Sequence, residues 1–126
     1  MRHLIAALCL VPAIAAAEGV EIELNALESR DTACRMVFTA RSQAGVEGYV
    51  LETAIFDAGG GVALLTLFDF MELPAGSLRV RQFDIPEQSC DGLGTLLFNG
   101  VDACSGPGCD GGLTASSRVE GLEVLQ

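Results

Sequence analysis

Val20-Glu-Ile-Glu-Leu-Asn25 and Cys34-Arg-Met-Val-Phe-Thr-Ala-Arg41 decide the fold, because in both the apolar residues fall at every second position. A period of two is the mark of a strand with one face in a core and the other in water. Val20, Ile22 and Leu24 therefore share the buried face of the first strand, opposite Glu21, Glu23 and Asn25. In the second, Cys34, Met36, Phe38 and Ala40 point inward and Arg35, Thr39 and Arg41 outward, which places a cysteine inside the molecule.

Outward from this pair, Ser42 to Gly48 reads as a turn. Tyr49 to Phe56 and Val62 to Phe70 are nearly continuous apolar runs joined by Asp57-Ala-Gly-Gly-Gly61, a hairpin connection, and both read as central strands. Val62 to Phe70 also fits a short buried helix; the glycines before it and Leu73-Pro-Ala-Gly76 after it decide for strand. Leu78 to Ile85 carries Arg79 and Arg81 on one side and Leu78 and Val80 on the other. Cys90-Asp-Gly92 turns into a strand from Leu93 to Val101. Residues 102–112, rich in glycine, read as a surface loop and not a strand, and Leu113 to Gln126 supplies the last one or two strands. Short strands between regular turn signals predict an all-β, antiparallel sandwich of seven or eight strands, one domain over residues 18–126.

Arg2 and His3, the apolar run Leu4 to Ile14, and Ala15-Ala16-Ala17 before Glu18 have the order of a secretory signal peptide, residues 1–17, cleaved after Ala17. The run is too short to span roughly 30 Å of hydrocarbon. Cys9 follows Leu8 rather than a small residue, which argues against lipidation. The expected product is periplasmic or secreted and is not inserted in a membrane. It keeps six arginines against all 17 acids, a net charge of −11, which disfavours nucleic acid and anionic lipid as partners. The only histidine leaves with the leader, and the chain has no lysine. That excludes Ser-His-Asp and Cys-His catalysis, histidine-ligated metals and Schiff-base chemistry in the mature part. Carboxylates, arginines, Tyr49, hydroxyls and cysteines remain.

Four cysteines also remain, Cys34, Cys90, Cys104 and Cys109, and an even count in an exported small domain reads as disulfides. Three pairings are possible. The turn formers in Cys104-Ser-Gly-Pro-Gly-Cys109 bias the choice to 104 with 109 and 34 with 90. In the chain-entropy picture the long closure contributes roughly 4 kcal/mol and the short one about 2. A four-thiolate metal site fits less well, since Cys34 and Cys90 stand alone in the sequence.

Glu52-Thr-Ala-Ile-Phe-Asp57, a glycine-rich turn and Val62, then Leu73-Pro-Ala-Gly76 and a strand ending at Phe83 resemble the immunoglobulin-like domain family named for its Phe-x-Leu-Tyr-Asp motif, with Asp57 identical. Leu67-Phe-Asp-Phe70, Leu73-Pro-Ala-Gly76, Arg79-Val-Arg-Gln-Phe-Asp84 and Asn99-Gly100 also resemble a group of uncharacterised exported alphaproteobacterial proteins, over most of residues 20–126. These resemblances imply an immunoglobulin-like sandwich in an exported protein and bring no catalytic residue.

Three constellations could carry chemistry. Phe56-Asp57, Phe68-Asp69 and Phe83-Asp84 end apolar runs on an aspartate, the usual turn former. Gathered together, their carboxylates would serve acid-base work or hold a cation such as Ca2+. Arg79 and Arg81, two apart, could grip a carboxylate or phosphate, or neutralise neighbouring acids. The loop from Asp102 to Gly112, which carries Asp102 and Asp110, is the best candidate recognition surface. The expected function is a noncatalytic exported β-sandwich, without cofactor, that acts by protein interaction with an envelope protein. The rival is a divalent-cation-binding or carboxylate-dependent hydrolytic domain built on Asp57, Asp69 and Asp84. Strand addition at a sheet edge is a third route to a partner.

Overall fold

The computed structural model describes residues 2–10 and 19–126. The expected cleavage after Ala17 lies outside the described residues, and among these no helix is long and apolar enough to cross a membrane. Eight strands follow one another: β1 Val20–Arg30, β2 Ala33–Ser42, β3 Gly48–Asp57, β4 Val62–Asp69, β5 Arg79–Pro86, β6 Leu93–Ser105, β7 Leu113–Ser117 and β8 Glu123–Leu125. They form two four-stranded sheets, ordered β5-β2-β1-β7 and β4-β3-β6-β8. The domain is the all-β sandwich that the alternating pattern predicts.

The alternation of β1 and β2 is realised residue by residue. Val20, Ile22, Leu24, Cys34, Met36, Phe38 and Ala40 are all buried in one core with Leu51, Ile55, Phe68, Phe70 and Leu96 of the facing sheet. Phe38 sits at the centre. Its ring centroid lies 5.9 Å from Phe68, 5.6 Å from Phe70, 5.9 Å from Phe83 and 6.1 Å from Phe98, mostly edge-to-face. Phe68 of β4 and Phe83 of β5 stack at 4.1 Å, joining the two sheets along one side. The Cys34–Cys90 disulfide, with Cα atoms 5.0 Å apart, ties the buried face of β2 to the turn that leads into β6. The Cys104–Cys109 disulfide, Cα atoms 5.9 Å apart, closes the segment after β6, so both pairings are those the spacing favours.

Three expectations are corrected. The sheets are mixed, not antiparallel throughout: β7 runs parallel to β1 and β8 parallel to β6. The chain leaving β6 crosses to the other sheet and enters beside Val20 at Leu113, in the direction β1 already has. Second, β4 is an edge strand and not a central one, although β3 is central as expected. The apolar run of β4 is continuous because its two faces are apolar for different reasons: Phe68 is in the core, while Leu65 and Leu67 face solvent. Third, residues 102–105 belong to β6, and Ala103–Ser105 pair with Gly48–Val50 of β3. The register slips at Val50/Leu51 and Glu52/Thr53, leaving Asn99 and Asp102 as the extra residues of two bulges. A strand bent this way tolerates the glycine and polar content that otherwise marks a loop.

Phe38→Ala removes the ring on which four others pack. It is expected to lower the unfolding free energy by about 3–5 kcal/mol, read from the denaturant midpoint, against a far smaller loss for Phe56→Ala at a half-buried position.

Candidate functional site

The three aspartates that could have formed a carboxylate centre are built into local structure instead. Asp57 opens the β3–β4 hairpin, its Oδ1 accepting from the backbone N–H of Gly59 at 2.9 Å and of Gly61 at 3.0 Å. Asp69 closes β4 and accepts from the Met71 N–H at 2.8 Å, holding Met71 in the left-handed region at φ 59°. Asp84 lies opposite Arg35 across β5 and β2 and takes a two-pronged bond from its guanidinium, at 2.7 and 3.1 Å. Asp57 and Asp69 stand at opposite ends of the β3–β4 ladder, about 20 Å of strand apart, and Asp84 is on the other sheet. The carboxylates do not converge, and no group of three His, Cys, Asp or Glu side chains with metal-holding geometry occurs among the described residues. Tyr49 is buried, and burial pushes its phenol upward, so it stays protonated at neutral pH.

Arg79 and Arg81 share one side of β5 with Phe83 and the buried Ile85. The expected partners were acids; the observed ones are backbone carbonyls. Arg81 donates from Nε to Phe70 O and from Nη2 to Glu72 O, both at 2.7 Å, and from Nη1 to Val80 O at 3.1 Å. It thereby bolts β5 of one sheet to the segment that leaves β4 of the other. Arg79 donates only to Leu78 O, at 3.1 Å.

Asp102, in the bulge of β6, and Asp110, at the end of the short 3-10 turn Pro107–Asp110, are both exposed. Between them the loop is seated on the Ser42–Val46 turn. The buried Gly108 donates to Gly45 O at 2.8 Å, and a Cβ on Gly108 would overlap Ser42 Oγ. The loop is thus a packed corner with two outward carboxylates rather than a free arm. A shallow groove of about 350 Å³, lined by Glu47, Val50, Asp69, Met71, Ala103 and Ser105, joins this corner to the end of β4.

The surface that sequence reasoning missed is β4 itself. Val62, Leu65 and Leu67 are 63%, 59% and 54% exposed. Through direct pairing, Leu65 of β4, Ala54 of β3, Leu97 of β6 and Leu125 of β8 form an unbroken apolar row across the outer face of the sheet. No charged residue occurs from Ala58 to Phe68. The other three edges differ: β5 carries Arg79, Arg81, Asp84 and Pro86, while β7 has five residues and β8 three. Charge, proline, shortness and bulges are the usual protections of a sheet edge; β4 is eight residues long and has no proline, its charge is confined to Asp69 at its end, and its one bulge is at Ala63. The signal in the sequence was an apolar run with too many leucines for one buried face.

Fold and surface together define a disulfide-stapled β-sandwich with one open, apolar edge. No protein-family model matches the chain, and no curated protein or solved structure matches it either.

Two variants separate structural from surface roles. Arg81→Met strips the carbonyls of Phe70 and Glu72 of their donor and is expected to cost about 1–3 kcal/mol, whereas Arg79→Met leaves the melting temperature nearly unchanged. The Arg35 guanidinium holds the Asp84 carboxyl below the usual aspartate range. A carboxylate with a depressed folded-state pKa stabilises above its unfolded pKa of about 3.9 and loses that contribution as the pH falls through its folded value. In a series of melts from neutral to strongly acid pH, Asp84→Asn should therefore flatten the acid limb and leave the most acid points where they were.

Proposed function

We propose that the protein is a noncatalytic exported β-sandwich that works by protein interaction in the cell envelope, taking an extended segment of a partner chain onto the β4 edge. The observation that carries this reading is the contrast among edges: three are protected by charge or shortness, and the fourth is eight residues long, uncharged from Val62 to Phe68 and faced with leucine. An added strand gains affinity from main-chain hydrogen bonds and apolar cover from Leu65 and Leu67 beside it. Two disulfides and the leader pattern of residues 1–17 support an oxidising compartment, where such bonds persist. The acidic surface supports a protein partner over nucleic acid or anionic lipid.

A photo-crosslinking residue placed at Leu67 is expected to give discrete adducts in intact cells, lost when Leu65→Lys is added, while the same probe at Thr114 of β7 gives none. Both leucines are more than half exposed, so folding is little affected. Absence of adducts at Leu67, or equal adducts at Thr114, would overturn the proposal.

A further inference from the structure

We propose that Asn99-Gly100 is a site of covalent modification in the folded protein, where the side-chain amide of Asn99 is converted to a carboxylate through a cyclic imide. The conversion is independent of the docking role of β4. In its first step the Gly100 backbone nitrogen attacks Asn99 Cγ. The new N–C bond closes a five-membered ring as the Cγ–Nδ2 bond breaks, and the Gly100 N–H proton leaves with the amide nitrogen as ammonia. Water then opens the ring at one of its two carbonyls and gives aspartate or isoaspartate. The balance is one water consumed and one ammonia released, with no oxidant or reductant.

Ring closure needs water at the amide, an uncrowded following nitrogen and a backbone free to turn. Asn99 and Gly100 are both exposed, and a Cβ built on Gly100 would meet nothing within 4 Å. Glycine adds no side chain beside the attacking nitrogen and restricts rotation least. Asn99 is the extra residue of a bulge, where the ladder is locally disrupted, and a second register slip follows at Asp102. The other asparagine of the chain is an internal control. Asn25 is exposed too, and it sits at the register slip between Leu24 and Ala26 in β1, but the residue after it is alanine and the pairing with β2 is regular from there on. Of the two, Asn99 alone combines a bulge with a following glycine.

The modification has a local consequence. Asn99 Nδ2 donates to Glu52 Oε1 at 2.8 Å and so ties β6 to β3 on the outer face of the sheet. Conversion removes that donor and sets a second carboxylate against Glu52, which lies directly opposite Leu67 of β4. Like charges across two strands destabilise the pair.

Incubation of the purified protein in mildly alkaline buffer, followed by ion exchange and peptide mass spectrometry, tests this. The expected product carries one more negative charge, maps to residue 99 as a mixture of aspartate and isoaspartate, and forms while Asn25 is still an amide. Isomerisation at Asp91-Gly92 or Asp110-Gly111 adds no charge and is told apart by that. Gly100→Ala, for which there is open space, should slow the conversion several-fold. Asn99→Asp should lower the melting temperature by about 1–5 °C, and Glu52→Gln added to it should recover most of the loss. An Asn99 amide that lasts as long as that of Asn25 overturns the proposal, as does a conversion equally fast in Gly100→Ala. An Asn99→Asp protein that melts where the original does overturns the consequence assigned to Glu52.

Discussion

Everything in this molecule hangs on the packing of Phe38. The chain has no tryptophan and one tyrosine, so phenylalanine must fill the space between the sheets, and five of the six rings meet around one position on β2. Phe38 receives Phe83 from its own sheet and Phe68, Phe70 and Phe98 from the other. Large rings packed edge to face fix the spacing of two sheets and resist sliding, because each displacement breaks several contacts together. Two further ties guard the same arrangement: the Cys34–Cys90 bridge, and the Arg81 guanidinium that grips the carbonyls of Phe70 and Glu72. With the inner faces committed in this way, only outer faces and edges are free for a partner.

What the sequence made legible follows from what its patterns encode. Alternation in Val20–Asn25 and Cys34–Arg41 reports a face, so the buried sets of β1 and β2 could be listed before any coordinates. The short spacing and turn formers between Cys104 and Cys109 report proximity, so the pairing followed by subtraction. Neither pattern reports which strand lies beside which. That is why the parallel placement of β7 and β8 was out of reach, and why β4 passed for a central strand. Asp102 was misplaced on a loop because a bulge looks the same as a turn in composition. The sequence suggests acids as partners for Arg81 because charge is visible in it, whereas two carbonyls left bare where the chain crosses between sheets are not.

The two outer faces divide the surface unequally. On the β5-β2-β1-β7 sheet, Glu21 pairs with Arg41 and Thr114, Glu23 with Thr39 and Ser116, and Arg35 with Asp84, so that face is polar along most of its rows. On the β4-β3-β6-β8 sheet, the row Leu65, Ala54, Leu97, Leu125 runs from one edge to the other, with Phe56 and Val62 beside it. A sandwich that only needed to stay soluble would gain nothing from this asymmetry. The three aspartates that end apolar runs are each engaged locally: Asp57 and Asp69 bind their own turns and Asp84 binds Arg35, so these three do not build a carboxylate centre.

An edge as bare as β4 exposes a protein to uncontrolled association, and most proteins guard such an edge locally with a lysine, a proline or a bulge. Here the local guard is slight, one bulge at Ala63 and Asp69 at the strand's end, and the larger one is global. Seventeen acids against seven arginines surround a strand uncharged from Val62 to Phe68, and the resulting repulsion acts over roughly 10 Å at moderate salt, well before strands can meet. Repulsion of that range slows every random encounter but adds little once backbones are paired, where short-range hydrogen bonding and leucine contacts dominate. A local lysine would have blocked the edge outright. Dispersed negative charge leaves the edge open to short-range contact, as the docking role proposed for β4 requires.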